Sequence, residues 1–273
     1  MPNNPSKDFL LFKDTVRFIA VQKPVAWLTR MYSKRGRSIE IDITYVCNLS
    51  CYNCNRSVGQ GQAPTKDRMT VDQIKKFISE SIAMNYTWNM IRILGGEPAV
   101  HPDVLEIMRL LCEYRAQHAP KCTILFVTNG YGDKVKKMLA QLPKEVVIDN
   151  TAKKGNVQWF TAFNLAPIDF KRHKFADYGC GCGTPRENGI GLNPHGYYSC
   201  APAGGIDRVM GFDVGRKTLP AADDQMYELR DKFCRYCGHF AGRSTSTDKP
   251  EVSVTWKKAY EKYAQERKQL SRY

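Results

Sequence analysis

Residues 39–45 run Ile39-Glu40-Ile41-Asp42-Ile43-Thr44-Tyr45. The strict alternation of β-branched apolar and polar side chains predicts a strand. Thr70 then stands before Val71, Ile74, Phe77, Ile78 and Ile82. That helical spacing predicts a capped helix to about residue 85. Further along, residues 90–94, 123–127 and 146–149 read as strands, and residues 103–117 and 133–142 as helices. A fifth strand is expected over 158–165. Residues 8–32 suggest one or two short amphipathic helices broken at Pro24. Strands alternating with helices are the mark of βαβ units and a parallel sheet. In such sheets ligands collect at the carboxyl ends of the strands.

Beyond about residue 166 the periodicity fades. Residues 177–240 are rich in Gly, Pro and Cys, a composition suited to a small module stapled by metal. The tail from 255 to about 270 is helical again, with Trp256, Ala259, Tyr260 and Tyr263 on one face. The expected organisation is a basic N-terminal helical segment (1–38), an α/β domain (39–170), a cysteine-bearing module (171–245) and a basic C-terminal helix (246–273).

Four motifs fall on one expected rim. Cys47-Asn48-Leu49-Ser50-Cys51-Tyr52-Asn53-Cys54 follows the first strand. Gly95-Gly96-Glu97-Pro98 follows the second, Thr128-Asn129-Gly130 the third, and Asp149-Asn150 the fourth. The C-x3-C-x2-C spacing supplies three thiolates, one fewer than a closed [4Fe–4S] cube takes, so one iron would stay open to a substrate. Zinc would want a fourth ligand, and the loop has none. The paired glycines let backbone approach closely, and Glu97 could pair with an ammonium group. A second cysteine set, Cys180, Cys182, Cys200, Cys234 and Cys237, lies in the C-terminal module, with a structural zinc site as its alternative reading. Cys112 and Cys122 read as buried small hydrophobes. His101 reads as loop packing. His195 and His239 lie near the second set and are candidates to touch substrate or cluster.

The cysteine triplet and Gly-Gly-Glu-Pro together resemble the radical S-adenosylmethionine (SAM) superfamily, over roughly residues 39–165. The resemblance implies a partial (β/α) TIM-like barrel. It implies that Cys47, Cys51 and Cys54 hold a [4Fe–4S] cluster whose open iron chelates SAM. Gly95, Gly96, Glu97 and Pro98 would hold its methionine part, and a 5′-deoxyadenosyl radical would abstract a substrate hydrogen. Asn129, Asp149 and Asn150 are SAM candidates by position. Where the family carries an aromatic residue just before the third cysteine, this chain has Asn53, with Tyr52 one place earlier, so either could flank the adenine. The C-terminal set resembles the twitch module, a short relative of the SPASM extension. That likeness implies an auxiliary [4Fe–4S] cluster on Cys182, Cys200, Cys234 and Cys237, with Cys180 as an alternative to Cys182. A low-potential donor of flavodoxin or ferredoxin type would be the redox partner.

Composition narrows the function. The chain has 273 residues, 42% of them hydrophobic, enough for a packed core. Its polar start carries no secretory signal, and no apolar run reaches membrane length, so a cytoplasmic protein is expected. Ten cysteines in a reducing compartment point to metal ligands. The net charge is +14, and the ends hold most of it. Residues 1–38 carry eight Lys/Arg against two Asp, and 251–273 carry six against three Glu. Such a field favours anionic partners. The leading expectation is an oxidoreductase that oxidises or rearranges a phosphorylated or nucleotide-linked small molecule. The alternatives are modification of a ribosomal peptide or of nucleic acid. For nucleic acid, Trp27, Tyr32, Trp256, Tyr260 and Tyr263 among the charges would have to stack on bases.

Overall fold

The computed structural model describes residues 16, 19–29, 34–59, 61–155, 160–240, 246–247 and 251–273. The expected N-terminal helical stretch falls partly outside them. Within it, helical residues 19–20 are followed by a turn at Val21, and α1 (Lys23–Thr29) then carries Pro24 in its first turn, where a missing N–H costs nothing, so the interruption falls just before Pro24.

The strands β1 (Ser38–Thr44), β2 (Met90–Gly95), β3 (Thr123–Thr128) and β4 (Val147–Asn150) are parallel neighbours. They are linked by α2 (Val71–Ala83), α3 (Val104–His118) and α4 (Asp133–Leu139). Thr70 and Gln73 form a reciprocal capping box at the start of α2. On that helix Ile74 and Phe77 are buried, but Ile82 is exposed, so the apolar stripe is narrower than its sequence suggests.

The expected fifth strand is not in this sheet. Residues 158–159 lie outside the described residues, and β5 (Phe160–Thr161) pairs antiparallel with β8 (Ser246–Thr247) in a separate two-stranded sheet. The main sheet gains its other strands from the cysteine-rich stretch: β6 (Ile190–Asn193) lies parallel to β1, and β7 (Gly196–Tyr198) returns antiparallel beside it. The order is β4-β3-β2-β1-β6-β7, a mostly parallel, six-stranded sheet of partial TIM-like barrel type. Three helices complete the C-terminal half: α5 (Thr184–Glu187), α6 (Ala201–Met210) and α7 (Tyr227–Cys234). The tail helix α8 (Val254–Glu266) buries Trp256 and Tyr260. These two aromatics are core, not a base-stacking surface; Tyr32 lies outside the described residues, and Trp27 is exposed.

The core runs along the apolar face of the strands. Ile39, Ile41 and Ile43 of β1 and Ile91 and Ile93 of β2 pack with Ile74, Phe77, Val104 and Leu111 of the helices. Alternation on β1 would ordinarily leave Glu40 and Asp42 in water. Both are buried. The polar face of the sheet is therefore an interior, and this is what places the site. Among the described residues no helix is long and apolar enough to cross a membrane.

Candidate active site

A cavity of about 340 Å³ opens at the carboxyl ends of β1 to β3. Cys47, Cys51 and Cys54 line it together with Gly95, Gly96 and Asn129. The triplet and two of the three other rim motifs thus meet, as the strand order demands.

Burial pushes the Cys47 thiol up to about 11, with Cys54, Glu97 and Cys51 adding to the shift. Its sulfur accepts from the Leu49 amide at 3.4 Å and stands 3.9 Å from Asn129 Nδ2. Asn129 also donates to Asn48 Oδ1 (2.8 Å) and accepts from the Tyr131 amide (2.8 Å), so it fastens the cysteine loop to the end of β3. Donors directed at a cysteine sulfur are a known means of tuning a thiolate-held centre.

The glycines serve the fold before any ligand. A Cβ on Gly95, at φ +132°, would lie 2.1 Å from the Thr44 carbonyl oxygen, and one on Gly96 would lie 2.3 Å from that of Val46. The loop after β2 is pressed against the end of β1, and only glycine fits there. Glu97 is buried behind the cavity wall, not among its lining. Its carboxylate accepts from the Ala99 amide (3.1 Å), the Thr128 hydroxyl (2.7 Å) and the Asn129 amide (2.8 Å). Burial raises its pKa, against the pull of those three donors. In this state Glu97 ties β2 to β3. Pro98 is likewise buried and off the cavity. Tyr52 and Asn53 do not line the cavity; Asn53 has a positive φ and accepts from the Glu251 amide at 3.3 Å. Asp149 and Asn150 sit exposed on the edge strand, and neither lines the cavity.

The floor of the cavity holds residues that motif reading missed. Glu40 and Arg92 face each other in register across β1 and β2 and pair at 2.7 Å. Arg56 donates to Glu40 at 3.1 Å and to both oxygens of Asp42 at 3.1 Å. Burial pushes Asp42 up to about 6, although Arg56 opposes the shift. Thr151 and Lys153 line the cavity just beyond β4. Charged side chains inside central parallel strands were the available signal, since such strands are covered on both faces. His239 also lines the cavity; burial and the charge of Arg56 lower its pKa to about 4, which keeps its ring neutral.

The second cysteine set converges as well. Cys182, Cys200, Cys234 and Cys237 line one small apolar pocket. His239, Thr184 and Pro202 line both this pocket and the cavity, so a wall one residue thick separates them. Burial pushes Cys200 up to about 12, and it pushes Cys234 and Cys237 well up, with neighbouring cysteines adding to each shift. Buried, crowded thiols of this kind ionise only when a positive centre is there to bind them. Cys180 does not line the pocket; it packs with Val21, Ala26, Tyr178 and Phe240. Among the described residues no three His, Cys, Asp or Glu side chains gather closely enough to hold a single metal ion. His195 lies away from both cysteine sets, its Nε2 3.5 Å from Asp67. His101 packs the loop, with Met69 and Asp103 as partners, and Cys122 is core.

A parallel sheet with three cysteines on the rim of one polar cavity defines a class, and the family comparison agrees. Residues 41–149 match the Radical SAM superfamily. Among individual proteins, it is 30% identical over 123 residues to molybdenum cofactor biosynthesis protein 1 of Bos taurus, covering 44% of this chain and 18% of that protein. It is 28% identical over 134 residues to a probable GTP 3′,8-cyclase of Pyrococcus horikoshii, covering 47% of this chain and 39% of that one. The match therefore spans well under half the length of either relative. The crystal structure of BtrN in complex with AdoMet and 2-DOIA aligns over 80% of this chain and 98% of that one, at a TM-score of 0.41 and 12% identity.

Proposed function

We propose that this radical SAM protein oxidises or rearranges an anionic small molecule, phosphorylated or nucleotide-linked, in the cavity at the strand ends. One observation carries the reading: the three rim cysteines share a single enclosure with Arg56, Arg92 and Lys153. Bound there, a [4Fe–4S] cluster and SAM would supply one-electron, radical-generating chemistry. Cys47, Cys51 and Cys54 would hold the cluster, and three thiols without a fourth fit a cube with one open iron. Gly95, Gly96 and Asn129 stand in the same enclosure and would meet SAM. Arg92 and Lys153 would bind the anionic part of the substrate. The archaeal relative is named for action on GTP, which supports a nucleotide-type substrate.

Residues 171–245 would form the auxiliary module. Cys182, Cys200, Cys234 and Cys237 share one pocket, which supports that ligand set, with Cys182 rather than Cys180. An auxiliary [4Fe–4S] cluster in that pocket, one wall from the cavity, would accept an electron or hold substrate. A flavodoxin or ferredoxin would supply the reducing electron.

The test is anaerobic incubation of the iron-loaded protein with SAM, dithionite and a panel of sugar phosphates, nucleotides and neutral sugars. Formation of 5′-deoxyadenosine should rise with an anionic compound and fall back to background in Arg92→Gln. Stimulation by neutral compounds alone would refute the substrate class, and absence of 5′-deoxyadenosine would refute the reaction.

A further inference from the structure

A second concavity, of about 810 Å³, lies between residues 64–67 and the C-terminal segment 267–272. It shares no lining residue with the cysteine cavity. Five cations line it: Lys66, Arg208, Arg267, Lys268 and Arg272. The facing carboxylate is Asp67, and His195 stands 3.5 Å from it. Lys268 and Arg272 donate to the carbonyls of Gly211 and Arg68, each at 2.6 Å. Carbonyls orient these side chains without cancelling their charge, although the Asp213 carboxylate also feels Lys268.

Two buried side chains on the wall of the groove have capacity to spare. Arg208 is 2% exposed. Its terminal nitrogens donate to the carbonyls of Ala63, Arg56 and Ser57 and to the Tyr263 hydroxyl, at 2.7–3.1 Å. Its Nε meets no acceptor among the described residues. His195 is 4% exposed; its Nε2 faces the Asp67 carboxylate, and its Nδ1 makes no hydrogen bond among the described residues. Buried polar groups normally find partners, so each such exception calls for an explanation.

We infer that this groove is a second binding site, which takes a phosphate chain: a di- or triphosphate, free or carried by a nucleoside. The chemistry is that of a polyanion. One carboxylate is set against five cations, charge-assisted contacts to phosphate oxygens are the strong kind of hydrogen bond, and the volume suits a ligand larger than one phosphate. Tyr263 lines the same groove and offers a ring to a nucleobase. The inference does not rest on the proposed reaction. The two regions do touch, because Arg208 grips the carbonyl of Arg56, whose side chain lines the other cavity.

The test is anaerobic calorimetry on the iron-loaded full chain with inorganic triphosphate and, separately, ATP. Saturable binding that weakens as salt is raised is expected. Lys66→Gln/Arg267→Gln should weaken it about tenfold or more, the scale for losing two charge-assisted contacts. Arg92→Gln, whatever it does to a separate binding event in the other cavity, should leave in place the triphosphate event that the double variant loses. Equal affinity for the two probes would place recognition on the phosphates; tighter ATP binding would add the nucleoside. No saturable binding, an unaffected double variant, or loss of that same event in Arg92→Gln would overturn the inference. So would capture of an acidic redox protein on this face where triphosphate fails. Unchanged melting temperature and iron content in the double variant confirm that it folds, and the salt response of the unaltered protein tests the inference without it.

Discussion

Replacing Arg56 by methionine keeps much of its apolar bulk and removes a guanidinium that serves two buried carboxylates. Glu40 would keep Arg92, at 2.7 Å. Asp42 is fully buried and would lose its ion-pair partner, whose Nε stands 3.1 Å from both carboxylate oxygens. Removing one partner of a buried pair costs about 3–5 kcal/mol, because the other charge is left in a poor solvent. For a chain of this size that corresponds to a melting temperature lower by roughly 10 °C.

The pH dependence identifies the cause. With Arg56 present, burial already holds Asp42 at about 6. A carboxyl whose folded pKa lies above its unfolded value gives its full stabilisation below the unfolded value and loses it as pH rises through the folded one. Without Arg56 the folded pKa climbs further. At pH 8 the variant must therefore hold Asp42 protonated against the solvent, whereas at pH 5.5 both proteins hold it largely protonated. Thermal melts followed by circular dichroism, on anaerobically prepared protein at the two pH values, should show a large deficit at pH 8 and a smaller one at pH 5.5. A deficit at pH 8 worth less than about 1 kcal/mol, the range of an exposed pair, or one equal at both pH values, would refute the idea that this ladder is desolvated.

Two further outcomes concern the cysteines and the glycine loop. Reconstituted protein should bind about eight iron atoms, and Cys51→Ala and Cys234→Ala should each retain about four, as two separate cubes require; full iron in Cys234→Ala would remove the auxiliary cluster. Gly95→Ala should cost more than about 3 kcal/mol, since it combines a positive φ with a backbone clash; its soluble yield and melting temperature measure this, and a value near that of the unaltered protein would mean that the loop can move off β1.

Order along the chain and residue type were enough to read four strands and three helices of the sheet domain, because hydrophobic period is a local property. They were also enough to place Cys47, Cys51, Cys54, Gly95, Gly96 and Asn129 at one rim, since a parallel sheet puts every strand's carboxyl end on the same side. The sequence does not show which strand lies next to β1. Neither end of Ile190–Asn193 marks it as a sheet member, and its place beside β1 depends on contacts 151 residues apart in the chain. The alternation on β1 does not by itself reveal that Glu40 and Asp42 face an interior rather than water; only the expectation of a parallel sheet covered on both faces hints at it. A polar residue has the same local signature in both settings, and only the partners brought from elsewhere, Arg56 and Arg92, make its burial tolerable. The roles of Gly95 and Glu97 divide in the same way. Their spacing was legible, but the close approach to Thr44 and the grip on Thr128 and Asn129 exist only once β1, β2 and β3 lie side by side. Local chemistry is written in the order of residues; whether a charge is solvated or paired depends on what the folded chain sets beside it.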